Sequence, residues 1–398
     1  MFVFCLGAKP ASMFFTPSLT IFLQTKQKTN NKRLQMNFPE DALTEILSRL
    51  HVKALSRFKC VCKSWENLIK QPHFISRHLA NWTNSSTNKD NVHLLISKRD
   101  DETNKRVISL SADDALDTFV DQNSPPFINE TFGHIRLLGP CNGLVCLYGY
   151  PDSIALWNPA IREFKKLPKS SIPRPLGKFV LGGDVGFGYD SKTNDYKVIQ
   201  ILFCCSKNEG NIYQVEIYNV STGAWRKYNA ELPANIMYRN VWSTCYKNKT
   251  FCWWAQDNET ELILSFNMNN EEFKKKALPI DIRDLEGEDR VTRAILQFGE
   301  SIALLVYGIK QVEKVFDIWV IKSLDDDECW TRLSSIGPVS RVERPLGFWK
   351  NGELILENSC RELVLYDDGD GKVRYLGVHG KRDRLEVLVY KESLVSVN

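Results

Sequence analysis

The chain has 398 residues, 43% of them hydrophobic and 25% charged, and a net charge of +4. That length supports a large core beside a smaller unit, with the composition of an ordinary globular protein. So small a positive charge, with no Lys/Arg run interleaved with aromatics, argues against nucleic acid as the partner. No window reaches the ~18–20 apolar residues of a spanning helix.

Residues 1–36 are apolar but broken by Lys9, Pro10 and Pro17, with no basic residue ahead of the first apolar run. They read as a loose extension rather than a signal peptide. Met36 stands directly before the first patterned segment.

Residues 37–80 are helical in pattern. Pro39 suits a first turn, and Glu40 and Asp41 suit its positive end. Leu43, Ile46, Leu47 and Leu50 follow at helical spacing. A second short helix is predicted over 53–58. A third carries Val61, Trp65, Leu68 and Ile69, Pro72 ends it, and Phe74, Ile75 and Leu79 predict one more short turn. Three or four short helices form a marginal unit alone, so the apolar stripe needs a partner surface. Seven Lys/Arg against four Asp/Glu favour an acidic one.

Residues 81–105 are polar, with one short strand-like run at 92–97, and read as a linker. Beyond them the pattern turns to strands, in a β domain spanning 106–390. A strand, a small turn and another strand recur at 139–148, 184–202, 242–255, 295–308 and 346–357. A strand, a polar turn and a strand ending in an aromatic or basic residue follow each, at 154–168, 215–229, 262–279, 316–333 and 363–377. A four-stranded unit every ~45–60 residues predicts a β-propeller, here of about six blades, with 91–138 supplying a partial sixth.

Catalytic motifs are missing from the pattern. Gly182, Gly183, Gly186 and Gly188 do not fit G-x-G-x-x-G and precede no helix. Asp367–Gly371 lacks the closing Glu of a calcium loop and reads as a hairpin turn. Cys60 and Cys62 face nearly opposite sides of a helix and cannot share a metal. No catalytic residue, cofactor or metal is expected. The 11 scattered cysteines, without a C-x-x-C pair, fit free thiols in a reducing compartment, hence cytoplasm and/or nucleus. Binding candidates lie in loops between blades. They are Arg174 and Arg344, each opening the tetrapeptide Arg-Pro-Leu-Gly, and the cluster Tyr238, Arg239 and Trp242.

Residues 38–75 resemble an F-box. The match runs through Phe38-Pro39, Asp41, Ile46-Leu47, Arg49-Leu50, Val52-Lys53, Leu55, Arg57-Phe58, Val61, Lys63 and Trp65, with His51 at a position where the family has proline. The body resembles the F-box-associated domain of plant F-box proteins, including the S-locus F-box group. The matching phrases are Gly143-Leu144, Leu156–Pro159, Phe187–Asp190, Asp195–Val198 and Tyr218…Trp225. The resemblance implies docking on a Skp-type adaptor, and through it a cullin–RING ubiquitin ligase, by Pro39, Leu43, Ile46, Leu47, Leu50, Val52, Leu55, Phe58 and Trp65. It implies that the β domain binds a target protein for ubiquitination. Two other readings stand beside it. One is a secreted propeller lectin or hydrolase, favoured by the apolar N-terminus and the sequons at Asn129 and Asn248. The other is a non-degradative F-box scaffold.

Overall fold

The computed structural model describes residues 39–84, 92–100, 102–103, 105–113, 115–122, 125, 128, 135–149, 152–205, 212–236, 244–246, 249–258, 260–279, 291–299, 301–322, 324, 329–380 and 385–397. Four helices come first: α1 (Glu40–Leu47), α2 (Val52–Phe58), α3 (Lys63–Lys70) and α4 (Pro72–Asn84). The predicted short last turn is instead a 13-residue helix. Pro72 both ends α3 and opens α4, because its fixed φ and missing N–H cost nothing at a first helical position.

The predicted linker 81–105 also gives way. Helix α4 runs to Asn84, and Val92–Arg99 is a strand whose Leu94, Leu95 and Ile96 are fully buried. The strand-like run at 92–97 is a strand of the β domain and not part of a linker. It is β1, followed by β2 (Arg106–Ser111) and β3 (Phe119–Asp121).

Five antiparallel sheets follow in sequence order, as the repeat predicts. The first holds β4 (Ile135–Cys141), β5 (Leu144–Gly149), β6 (Ser153–Asn158) and β7 (Glu163–Lys166). The second holds β8 (Phe179–Asp190), β9 (Asp195–Cys205), β10 (Ile212–Asn219) and β11 (Ala224–Lys227). In the third the inner strand comes in two pieces, β12 (Asn235–Ile236) and β13 (Thr244–Tyr246), beside β14 (Thr250–Asp257), β15 (Thr260–Asn267) and β16 (Glu272–Ala277). The fourth comprises β17 (Val291–Phe298), β18 (Ser301–Gly308), β19 (Glu313–Ile321) and β20 (Thr331–Ser340). The fifth comprises β21 (Val342–Phe348), β22 (Leu354–Asn358), β23 (Glu362–Asp367) and β24 (Lys372–His379).

The last strand, β25 (Glu386–Lys391), pairs antiparallel with β1, so the sixth sheet reads β25-β1-β2-β3. The fold is a six-bladed propeller closed by strands from both ends of the domain, with β25 supplying the inner strand of the sixth blade. Beyond β25 the chain lies over blade one. Asn158 donates through Nδ2 to the carbonyls of Ser393 (3.1 Å) and Val395 (2.8 Å), and Ser396 donates to Glu163 at 2.6 Å. Leu394, Val395 and Val397 are buried there.

The glycine-rich stretch of β8 serves packing. A Cβ on Gly186 would stand 2.7 Å from the ring of Trp253, which is fully buried in the next blade. Two further devices tie neighbouring blades. Lys197 Nζ, buried, reaches Asp190 (2.6 Å), Glu271 (2.7 Å) and the Met268 carbonyl (2.9 Å), joining blade two to blade three. The indole N–H of Trp225 donates to the Pro168 carbonyl, and that of Trp330 to the Ala277 carbonyl, each fastening an outer strand to the end of the preceding blade. The acidic run at 367–371 is the β23–β24 hairpin turn, with Gly371 at φ +67°.

Candidate protein-docking site

The helices divide the nine sequence candidates by burial. Leu47 and Leu55 are fully buried and Val52 nearly so. Leu68, Ile69 and Phe74 are buried as well. Leu43, Leu50, Phe58 and Trp65 are half-buried, while Pro39 is exposed and Ile46 is 36% exposed. Phe58 and Trp65 meet edge to face at 5.4 Å, bracing α2 against α3. Leu47, Val52 and Leu55 therefore hold the helices together, and Ile46 and Pro39 remain open to a partner. Val61, outside the nine, is 39% exposed at the turn before α3. Its place on the apolar stripe was visible in the spacing.

His51 caps α2 with φ −58° and ψ 146°, so the turn keeps a proline-compatible φ without proline. Its carbonyl accepts from the Leu55 amide at 3.0 Å, opening α2. Helix α4 is pinned to this turn by the imidazole of His78, whose Nε2 contacts the Leu50 carbonyl at 2.9 Å, and by Asn81 Nδ2, which donates to Ser48 Oγ at 2.9 Å. His78 is 1% exposed, and burial lowers its pKa from 6.5 to about 4. It is neutral at physiological pH, and the Nε2 tautomer donates to the carbonyl.

In the propeller the candidates separate. Arg174 lies half-buried in the loop before β8, its guanidinium paired with the buried carboxylate of Glu216. Arg344 corrects the sequence expectation. It is a buried residue of β21, paired with Glu357 at 2.5 Å and donating to the Leu385 carbonyl at 2.9 Å, so it braces the blade and is closed to a target. The two Arg-Pro-Leu-Gly copies are thus unlike: Gly177 sits in a turn at φ +69°, whereas Gly347 is extended within a strand. Tyr238, Arg239 and Trp242 lie outside the described residues, as do Asn129 and Asn248 of the sequons.

A channel of about 1260 Å³ runs along the inner strands. One mouth is formed by the turns after the inner strands, including Asn142, Gly299 and Asn351, and Leu79 of α4 lines it with them. Deeper, Arg136 pairs with Asp184 at 2.7 Å, and the Leu137 amide donates to Glu386 at 2.7 Å. Burial pushes the Asp184 carboxyl up while Arg136 draws it down. These groups serve the walls. Among the described residues no three His, Cys, Asp or Glu stand together as a metal site.

The sequence matches two family models. Residues 102–397 match the F-box associated beta propeller domain, and residues 36–77 match the F-box domain. An F-box/kelch-repeat protein of Arabidopsis thaliana is 28% identical over 91% of this chain and 96% of its own length. The F-box protein CPR1 of the same plant is 25% identical over 83% of this chain and 81% of its own. Among solved structures, a six-bladed fungal lectin from Aleuria aurantia aligns with TM-score 0.42 and 10% identity, over 72% of this chain and 95% of its own.

Proposed function

We propose, since the chain belongs to the F-box-associated β-propeller family and carries an F-box ahead of that domain, that it is the substrate-recognition subunit of a Skp–cullin–F-box ubiquitin ligase. Its helices dock on a Skp-type adaptor, and its propeller holds a target protein within reach of the ubiquitin carrier. The chain supplies proximity and no reacting group. The observation that carries this reading is the F-box match itself, over helices that leave Ile46 and Val61 uncovered. Exposed Arg49, in the turn after α1, and Lys53, Arg57 and Lys63 on α2 and α3 favour an acidic adaptor surface. Nine free cysteines among the described residues support a reducing compartment, cytoplasmic and/or nuclear.

The test is co-purification of the whole chain with a Skp-type adaptor, followed by assembly with cullin and RING subunits. Adaptor binding by the folded wild type, lost in Ile46→Asp with unchanged circular dichroism, is the expected result. A folded wild type that captures no adaptor would overturn the reading.

A further inference from the structure

Two side chains of blade one receive the last residues of the chain. Asn158, which closes β6, is fully buried, and its whole amide is engaged. Its Oδ1 accepts from the Ala160 amide at 3.0 Å and from the Tyr390 hydroxyl at 3.2 Å. Its Nδ2 donates to the carbonyls of Ser393 and Val395. One side chain thus joins its own turn, β25 of the sixth blade and the segment that follows β25. Glu163, which opens β7, is the second receiver: it accepts from Ser396 Oγ at 2.6 Å and from the Val397 amide at 3.2 Å.

The segment between these fastenings is fitted to its seat. Ser393 is buried, and its Oγ accepts from the Val395 amide at 3.3 Å. A Cβ on Gly143, in the turn between β4 and β5, would stand 2.3 Å from Ser393 Oγ, so that turn leaves room for the segment only with glycine. Ring closure does not require any of this. The pairing of β25 with β1 runs from Val92 with Lys391 to Ser97 with Glu386, and is complete before Ser393 is reached.

The same segment meets the helices. Val395 and Val397 belong to the apolar cluster shared by blades one to three, and Ile75 of α4 packs against that cluster. Lys59, half-buried at the end of α2, lies near enough to Glu163 to feel its charge, which opposes the lowering of the lysine pKa by burial. The carboxylate that holds Ser396 and Val397 therefore also faces α2. Among the described residues no helix packs broadly on a strand of the ring, so the seat of the helices includes this segment.

We propose that residues 393–397 form a strap that fixes α2–α4 on the propeller, with Asn158 and Glu163 as its two fastenings. Seated, it makes helices and ring one body. Unseated, it leaves the ring closed by β25 and the helices joined to it only through the chain between α4 and β1. Five residues lose backbone freedom on docking, and three buried apolar side chains with the bonds to Asn158 and Glu163 offset that loss. Loss of either fastening should unseat the strap. The inference concerns the fold and stands apart from the ligase reading.

The experiment uses the full chain with spin-labelled unnatural amino acids in place of Lys63 on α3 and Lys310 in blade four, both exposed. Pulsed electron paramagnetic resonance reads the distance between them. The wild type should give one narrow distribution. A chain ending at Glu392 should give one at least twice as broad, and a peptide of residues 393–398 added in trans should narrow it again. Ser396→Asp sets a second carboxylate against Glu163, and Asn158→Asp keeps the side-chain shape while removing both donors; each should broaden the distribution too. Ser396 is exposed, so Ser396→Asp leaves the core of the ring intact and decides the matter if the shortened chain does not fold. A folded shortened chain as narrow as the wild type would overturn the proposal, as would a wild type that is already broad. Hydrogen exchange that rises through all six blades on Ser396→Asp would overturn it as well, by making the segment a part of ring closure.

Discussion

Adjacent residues of α1 should respond in opposite ways to truncation. Leu47 is fully buried, and removing such a side chain to alanine costs about 2–5 kcal/mol. Short helices of this size hold only a few kcal/mol in total. Leu47→Ala should therefore melt α1–α4, and adaptor binding should fail because the surface is gone. Ile46 is 36% exposed, so roughly a third of the ~1.5–3 kcal/mol available from burying an isoleucine remains for a partner to collect. Area alone gives somewhat under 1 kcal/mol. A well-packed anchor at an interface raises the truncation cost to about 2 kcal/mol. Ile46→Ala should thus weaken the adaptor complex by about 5–30-fold. Alanine also has the better helix propensity, so the free chain should lose little helicity. Titration calorimetry against a purified Skp-type adaptor reads the affinity, and far-ultraviolet circular dichroism reads the fold. A Leu47→Ala protein that keeps its helices and loses affinity, beside an Ile46→Ala protein that binds as wild type, would refute the assignment of core and contact.

Two further outcomes follow from buried polar groups. His78 is neutral in the fold with its pKa lowered to about 4, whereas the unfolded chain protonates near 6.5. The unfolded state thus binds the extra proton first, and the α4 contact should be at full strength above pH 6.5 and weaken as pH falls toward 4, by about 3 kcal/mol in all. Hydrogen exchange in α4 should follow that window, and His78→Leu should flatten it; equal pH dependence in the variant would count against the mechanism. In the propeller, Lys197→Met should cost about 3–5 kcal/mol by leaving Asp190 buried without its cation. Thermal unfolding checks this, and a second change, Asp190→Leu, should recover part of the loss.

Much of this architecture was legible in the residues. Helical spacing gave α1 to α3, and the recurring turn chemistry between strands gave five blades nearly to their bounds. The sixth was harder, because its strands lie at the two ends of the domain and no local phrase joins Val92–Arg99 to Glu386–Lys391. The strand-like run at 92–97 was visible, but the polar stretches on either side placed it in a linker. Burial was also beyond reach of the pattern: Ile46 and Leu47 share one apolar stripe, and only the packing of the other helices makes one a core residue and the other a surface one. The two Arg-Pro-Leu-Gly copies show the same limit. Identical tetrapeptides fall at different registers, one in a turn and one inside a strand, so Arg174 and Arg344 meet different surroundings.

The closure of the ring by β25 bears on how incomplete chains behave. On a ribosome the docking helices emerge early, while β1 waits with a bare edge until Glu386–Lys391 has been made. A message cut short anywhere within the later blades would yield a polypeptide whose F-box helices are encoded in full and whose propeller is an open, unzipped ring. If the proposed ligase role holds, such a fragment would occupy adaptor without delivering a target, and an early stop codon would produce a competitor of the intact product as well as a loss of it.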